Sequence, residues 1–511
     1  MSALLVRGGY LYPADVGAQV VPDGSVLIEG GRITAAGPTA QVEAALTPTT
    51  RVGLRVLDAR GKLVLPGLVN PHWHDMFATR FVFKGAQRPP HDRDDKPAFM
   101  ALGGDIQQIS TLFDSFYDQI EMLTAEEAVA IARYSMWTQL RSGVTTLGDV
   151  GSFNRPEALA TAARELGMRC SVSTWASDAV CAPGDTRFRR TRDADTVLTR
   201  IEALLRACER DTSGLVRARP TSVYGVNMTD ELGAGFAELV RRYDVPFATH
   251  VGALRNEVEV MAAYHGATPV RRFAELGLLS DRFTAVHCAF ADREERALLV
   301  DARSHINFSP AKYGPAGEST LTETRAMPEF RRAGLDVSLS TDGAPMPVGG
   351  MAEAMRAVWQ TFNEMYADPT EVLPTDALAM ATRLPAKGLG WSGEIGSIEP
   401  GKQADLVLVP ADDWRYLLNT RPLEGFLALG GSMDVDTVLV AGRTVVQGGH
   451  CTGFDEERLE ADYLRAIGTF SVRCLGVDPG LVAERTRRRH TKERDDRCGT
   501  RQRSSPERRA A

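Results

Sequence analysis

No run of about 18 apolar residues occurs in this 511-residue chain, so no membrane-spanning helix and no membrane partner is expected. The amino terminus, Met1-Ser-Ala-Leu-Leu-Val-Arg-Gly-Gly, lacks a charged segment followed by a sustained apolar one, which argues against a secretory signal. Seven cysteines are scattered without a single C-x-x-C pair. That pattern excludes a disulfide framework and cysteine-rich metal knuckles, and it predicts reduced thiols in a cytoplasmic protein. Charge is unevenly spread. Residues 484–511 hold 11 Lys/Arg against 5 Asp/Glu, a local +6, so the net −7 of the chain leaves −13 on the remainder. A folded part that acidic is not built for nucleic acid. The tail itself is Arg-rich and nearly free of large apolar residues, and is expected to be disordered.

What is present suits a large globular enzyme: 43% of residues are hydrophobic and 24% charged. The first sixty residues read as short strands separated by Gly, Pro and Asp turns. Matching strands recur at Ala404–Val409 and Val435–Val446, so the two ends are expected to pair as one small β domain. Between them, apolar runs alternate with helical patterns. The strand candidates are Leu63–His74, Val144–Val150, Arg169–Ala176, Pro220–Val226, Pro246–His250, Phe283–His287, Ser304–Ser309 and Asp336–Asp342. Eight strands with helices between them predict an α/β (β/α)8 barrel of the TIM type with insertions. A doubly wound sheet is the structural alternative, but no G-x-G-x-x-G follows an early strand.

The pair His72-Trp73-His74 ends the first run. Side chains two apart on a strand leave the same face, so both imidazoles can reach one metal ion. Three further runs end in metal-competent residues: His250, His287 and Asp342. In a barrel, all four strand ends open onto the face where active sites lie. Taken singly, His287 could be a core histidine beside Cys288, and Asp342 a helix cap before Gly343. Together they predict a divalent metal site: zinc first, with iron, cobalt or manganese as alternatives. Water on such an ion is acidified toward neutrality. Asp342 could accept its proton, and His287 could hold the water or polarise the substrate.

The chain resembles the amidohydrolase superfamily, within it the branch of cytosine, guanine and S-adenosylhomocysteine deaminases and triazine hydrolases. The matching stretches are Val64-Leu-Pro-Gly-Leu-Val-Asn-Pro-His-Trp-His74, Leu140-Arg-Ser-Gly-Val-Thr-Thr146, Ala285-Val-His-Cys288, Leu339-Ser-Thr-Asp-Gly343 and Ile395-Gly-Ser-Ile-Glu-Pro-Gly-Lys-Gln-Ala-Asp-Leu406. The resemblance implies a barrel plus a composite β-sandwich. It implies ligand roles for His72, His74, His250 and Asp342, with His287 beside the metal or touching its water. A homo-oligomer is an expectation carried by the resemblance alone. Some superfamily members bridge two metals with a carboxylated lysine on strand four, but Pro220–Met228 contains no lysine, so one ion is expected. The expected organisation is 1–60 and 393–455 as the two parts of the sandwich, 61–392 as the barrel, 456–483 as a helical extension and 484–511 as the tail.

Two departures bear on the reaction. In the resembled deaminases the strand-five histidine opens H-x-x-E, and that glutamate passes a proton to a ring nitrogen. Here Ala253 stands in its place, and Glu257 and Glu259 look like solvated helix residues. After strand seven the branch has Asn-Pro-x-Ser-Asn, where this chain has Asn307-Phe-Ser-Pro-Ala311. The expected function is therefore hydrolysis of an acyclic C–N bond (amide, urea or carbamate) in a small apolar or aromatic molecule. A heterocycle deaminase is the alternative, and a catalytically silent barrel the third reading. Trp73, Phe77, Phe81, Phe83 and Trp175 are candidates to line the pocket, Asn307 and Lys312 to touch substrate. The polar stretch 85–105, including His91, could form a lid.

Overall fold

The computed structural model describes residues 3–17, 19–75, 105–316, 321–343, 350–417 and 420–475. The expectations for Phe77, Phe81, Phe83, His91, the lid and the basic tail lie outside the described residues.

The chain opens with β1 (Leu4–Leu11), β2 (Val21–Glu29), β3 (Arg32–Pro38), β4 (Arg55–Asp58) and β5 (Lys62–Pro66). β1, β2 and β3 form an antiparallel meander, and β4 and β5 run parallel to β1. Next come the parallel strands β6 (Leu68–Trp73), β7 (Val144–Asp149) and β8 (Arg169–Val172). A short hairpin, β9 (Ala179–Val180) with β10 (Arg189–Arg190), follows. The parallel series resumes with β11 (Val216–Ala218), β12 (Thr221–Tyr224), β13 (Phe247–Val251), β14 (Phe283–His287), β15 (His305–Phe308) and β16 (Val337–Leu339). It forms two sheets, ordered β6-β7-β8-β11 and β12-β13-β14-β15-β16. The strands β6, β7, β13, β14 and β15 are buried at every position. Cover on both faces is why they read as unbroken apolar runs rather than as alternating patterns.

Two strand expectations need correction. Leu63–His74 is two strands, β5 and β6, parted at Gly67. A Cβ at Gly67 would lie 2.2 Å from the Thr145 hydroxyl, and its N–H donates to Asp405 O at 2.8 Å. The chain thus leaves one sheet and enters the next at a point where only glycine fits. Strand four starts earlier than Pro220 and is interrupted, β11 and β12 being separated by Arg219-Pro220. Pro220 has no N–H to give to a ladder, and the two sheets meet at this break. At the opposite edges, Asp342 N–H donates to His72 O at 3.1 Å, bringing the end of β16 to the end of β6.

The last strands are β17 (Leu406–Pro410), β18 (Thr437–Val440), β19 (Arg443–Gln447) and β20 (His450–Cys451). β17 pairs antiparallel with β5 over Leu406–Pro410, so both ends of the chain share one nine-stranded sheet, as expected. A buried clamp fixes this sheet to the parallel strands. The Arg169 guanidinium on β8 donates to both Asp405 oxygens at 2.9 and 3.0 Å, and Asp405 also accepts from Ala441 N–H. The Gln-Ala-Asp-Leu406 signature therefore has a structural job, since a bidentate guanidinium–carboxylate pair sets orientation as well as distance. The helix Glu456–Leu475 lies along the helix Ala125–Arg141, with Tyr463 stacked on Tyr134 and Arg473 paired with Glu127. Among the described residues, no helix is long and apolar enough to cross a membrane.

Candidate metal centre and active site

His72 lies on β6 and His74 immediately past its end. Their Nε2 atoms are 3.2 Å apart, and His74 Nε2 is 3.2 Å from His250 Nε2 at the end of β13. Asp342 Oδ1 stands 3.5 Å from His72 Nε2 and 3.3 Å from His74 Nε2. The four candidate ligand atoms all lie within 4.8 Å of one another, and all four residues are buried. Four donors held ~2.0–2.1 Å from a tetrahedral zinc would sit roughly 3.3 Å apart. The residues present fit such an ion.

Proton placement agrees. His250 Nδ1–H donates to Val223 O at 2.5 Å, which leaves its Nε2 lone pair facing the cluster. Burial lowers the pKa of His72, sends that of His74 and His287 well below the usual value, and takes His250 to about 3. The imidazoles are neutral, and those of His72, His74 and His250 are free to ligate through Nε2. Burial alone would push the Asp342 carboxyl up, but the Lys312 ammonium and His72 hold it well below the ordinary carboxylate range. Asp342 stays an anion.

The two Asp342 oxygens are divided. Oδ1 faces the histidines, whereas Oδ2 is 3.0 Å from Lys312 Nζ and 3.4 Å from His287 Nε2. His287, Cys288 and Asp342 have φ of 73°, 49° and 57°. Left-handed backbone at non-glycine residues costs about 1–3 kcal/mol each and concentrates at functional sites. Here it is held by Cys288 N–H to Val251 O and by Asp342 N–H to His72 O.

The pocket candidates fare unevenly. Trp73 is 3% exposed and belongs to the main apolar core. Asn307 is buried between strands, its amide donating to Ser338 Oγ at 3.0 Å and its carbonyl accepting from Ser340 Oγ at 2.6 Å. Lys312 is buried against Asp342 rather than reaching outward. Trp175 does reach the centre's aromatic wall. Its ring meets Phe113 at 5.5 Å, Phe113 stacks on His74, and Tyr224 stacks on His250 at 4.6 Å. Phe113 and Tyr224 were not singled out from the sequence. Tyr224, closing β12, could have been found by the same strand-end rule that found His250, whereas Phe113 sits on a helix outside the strand pattern.

Glu257 also needs correction, because it is fully buried while Glu259 is exposed. Its carboxylate accepts Gly252 N–H at 3.0 Å and Ala253 N–H at 2.8 Å, pinning the turn that follows His250. Burial pushes its pKa up to about 7. A carboxyl whose folded pKa exceeds its unfolded value of about 4.3 supports the fold fully below that value and loses this contribution as pH rises through about 7. The stability of wild type relative to Glu257→Gln should therefore fall between pH 5 and pH 8, as urea unfolding at both pH values would show. A difference that stays constant with pH would contradict this placement.

Comparison with known proteins follows the same lines. A model described as "Amidohydrolase family" matches residues 63–445. The chain belongs to this family. It is a metal-dependent hydrolase of carbon–nitrogen bonds with a TIM-like barrel fold. A 5-methylthioadenosine/S-adenosylhomocysteine deaminase of Symbiobacterium thermophilum is 28% identical over 458 residues, covering 88% of this chain and 94% of the relative. A 5'-deoxyadenosine deaminase of Methanothermobacter thermautotrophicus is 27% identical, covering 89% and 96%. Among solved structures, a zinc-bound adenosine deaminase from Xanthomonas campestris superimposes with a TM-score of 0.77 at 22% identity, over 92% of this chain and 99% of that one. An atrazine chlorohydrolase from Arthrobacter aurescens complexed with zinc gives 0.74 at 24%, over 91% and 100%. At these identities the structural likeness carries the fold alone.

Proposed function

We propose that this amidohydrolase cleaves an acyclic C–N bond, in an amide, urea or carbamate of a small apolar or aromatic molecule. The observation that carries the reading is the residue three after His250. Ala253 is apolar and 2% exposed, and the nearest carboxyl downstream, Glu257, is engaged with backbone N–H groups. Attack on an aromatic ring carbon needs a proton delivered to the ring nitrogen, and such help is typically worth about 10²–10⁴-fold. An acyclic carbonyl does not need that ring proton.

His72, His74, His250 and Asp342 would hold one divalent ion, zinc before iron, cobalt or manganese. The ion supplies Lewis acidity and makes water a nucleophile near neutral pH. Asp342 takes the proton of the attacking water and passes it to the leaving amine. Its anionic state, secured by Lys312 and His72 against the opposing effect of burial, is what that task requires. His287 faces the same carboxylate oxygen and holds the reacting oxygen. Phe113, Trp175 and Tyr224 form an apolar wall beside His74 and His250, suited to a substrate with an apolar or aromatic group.

The same reading closes the two parallel sheets into one (β/α)8 barrel over 61–392. Residues 1–60 and 393–455 pair as a composite sandwich, followed by a helical extension over 456–483. It places the enzyme in the cytoplasm, as a homo-oligomer with a small-molecule substrate. Deamination of a purine, pyrimidine or triazine is the second reading, favoured by the names of the curated relatives. A product-resolved panel separates the two. Amine release from aryl ureas, carbamates or anilides, with aminopurines and aminopyrimidines untouched, is the expected result. Ammonia from the heterocycles alone would overturn it.

A further inference from the structure

Tyr313 lies on the short helix Pro310–Ala316 that follows β15, and its hydroxyl is 2.6 Å from His287 Nδ1. The same hydroxyl oxygen accepts the Ser309 backbone N–H at 2.9 Å. Both rings are buried, at 5% and 2% exposure. On the far side of the imidazole, His287 Nε2 stands 3.4 Å from Asp342 Oδ2. A neutral imidazole carries one proton, and which nitrogen holds it is set by the partners on either side. A carboxylate only accepts, whereas a phenol can donate. At 3.4 Å the Asp342 anion is beyond hydrogen-bond length but still favours the proton on Nε2, and Nδ1 then receives the phenolic O–H. An O···N separation of 2.6 Å suits an O–H donor better than a ring N–H, whose usual range begins near about 2.7 Å.

We infer that Tyr313, with its hydroxyl oriented by the Ser309 N–H, is a positioning residue that locks His287 in the Nε2–H tautomer. His287 then works only as a donor. It can neither ligate an ion through Nε2 nor act as the base, so Asp342 is the proton acceptor at this centre. The Nε2–H is presented to whichever reacting oxygen lies beside Asp342, the water or the substrate carbonyl. That last step rests on the proposed hydrolytic reading, but the tautomer does not. The left-handed backbone of His287, φ 73°, gives the ring a fixed approach from β14, and the phenol fixes its proton. No pattern in the sequence links a tyrosine after one strand to a histidine ending another.

The test is a long-range proton–nitrogen NMR spectrum of full-length, histidine-labelled protein in the zinc-loaded form, in which the ion is diamagnetic. The His287 ring is assigned by its loss in His287→Gln. The expected wild-type pattern is a protonated Nε2 and a bare, hydrogen-bond-accepting Nδ1. In Tyr313→Phe that pattern should give way to a mixture of tautomers, with zinc content and melting temperature unchanged. On any substrate that the panel identifies, kcat should fall about 10–100-fold, the scale on which groups supporting a site residue act, while KM stays near wild type. A proton on Nδ1 in wild type would overturn the inference even if the variant failed to fold. So would an unaltered His287 pattern in a folded Tyr313→Phe protein. Neither outcome touches the substrate reading, which the product panel decides separately.

Discussion

Replacing His250 by alanine should strip the ion from the centre and abolish turnover. The imidazole is oriented by its Nδ1–H bond to Val223 O, and its Nε2 sits 3.2 Å from that of His74, so it has one placement and one task. Loss of a supporting hydrogen bond at a metal site costs about 10–100-fold in affinity or activity. Removal of a ligand should cost more, leaving metal content near background and kcat/KM below detection. His250→Gln, which fills more of the space, should fail in the same way while melting closer to wild type. Elemental analysis of both purified variants checks this. A fully loaded, active His250→Ala would remove β13 from the centre.

Asp342→Asn should lower kcat/KM by about 10²–10⁴-fold, the usual worth of a positioned base. The amide keeps the shape and can still present an oxygen to His72 and His74, but it accepts no proton. It also removes the negative charge facing Lys312, which lies 3.0 Å from Oδ2 and is buried. Breaking a buried ion pair by losing one partner is costly, of order 3–5 kcal/mol. The variant should therefore lose stability together with activity. The double variant Asp342→Asn/Lys312→Met should recover stability without recovering activity. Denaturation midpoints and steady-state rates for the two proteins decide it, and wild-type-like turnover in Asp342→Asn would refute the assigned base.

The candidate metal centre was legible because burial on both faces turns parallel strands into continuous apolar runs. A histidine or aspartate closing such a run then stands out. His72, His74, His250 and Asp342 all carry that signature, and all four come together. Trp73 could have been placed by the same logic. If His72 and His74 share a face, the residue between them takes the other, and Trp73 is buried in the main core. The break at Gly67 and the split at Arg219-Pro220 were less visible, since each depends on what packs against it: Thr145 in one case, the junction of two sheets in the other.

Charged residues misled most. Glu257 in the first turn of a helix reads as solvated, and becomes buried only because the turn at 252–253 folds back over its carboxylate. Lys312 reads as a substrate contact, and its helix instead turns it onto Asp342, where it is buried. In both cases the partner is a group that local pattern cannot supply: backbone N–H donors in a turn, or an anion from another strand.

Metal per chain is the measurement that tests the account most directly, on protein purified without added metal and again after reconstitution. One tightly held divalent ion per chain, most of it zinc, is the predicted result, with activity rising in proportion to loading. No bound metal under either condition, or turnover indifferent to loading, would contradict the hydrolytic centre built from β6, β13 and the end of β16.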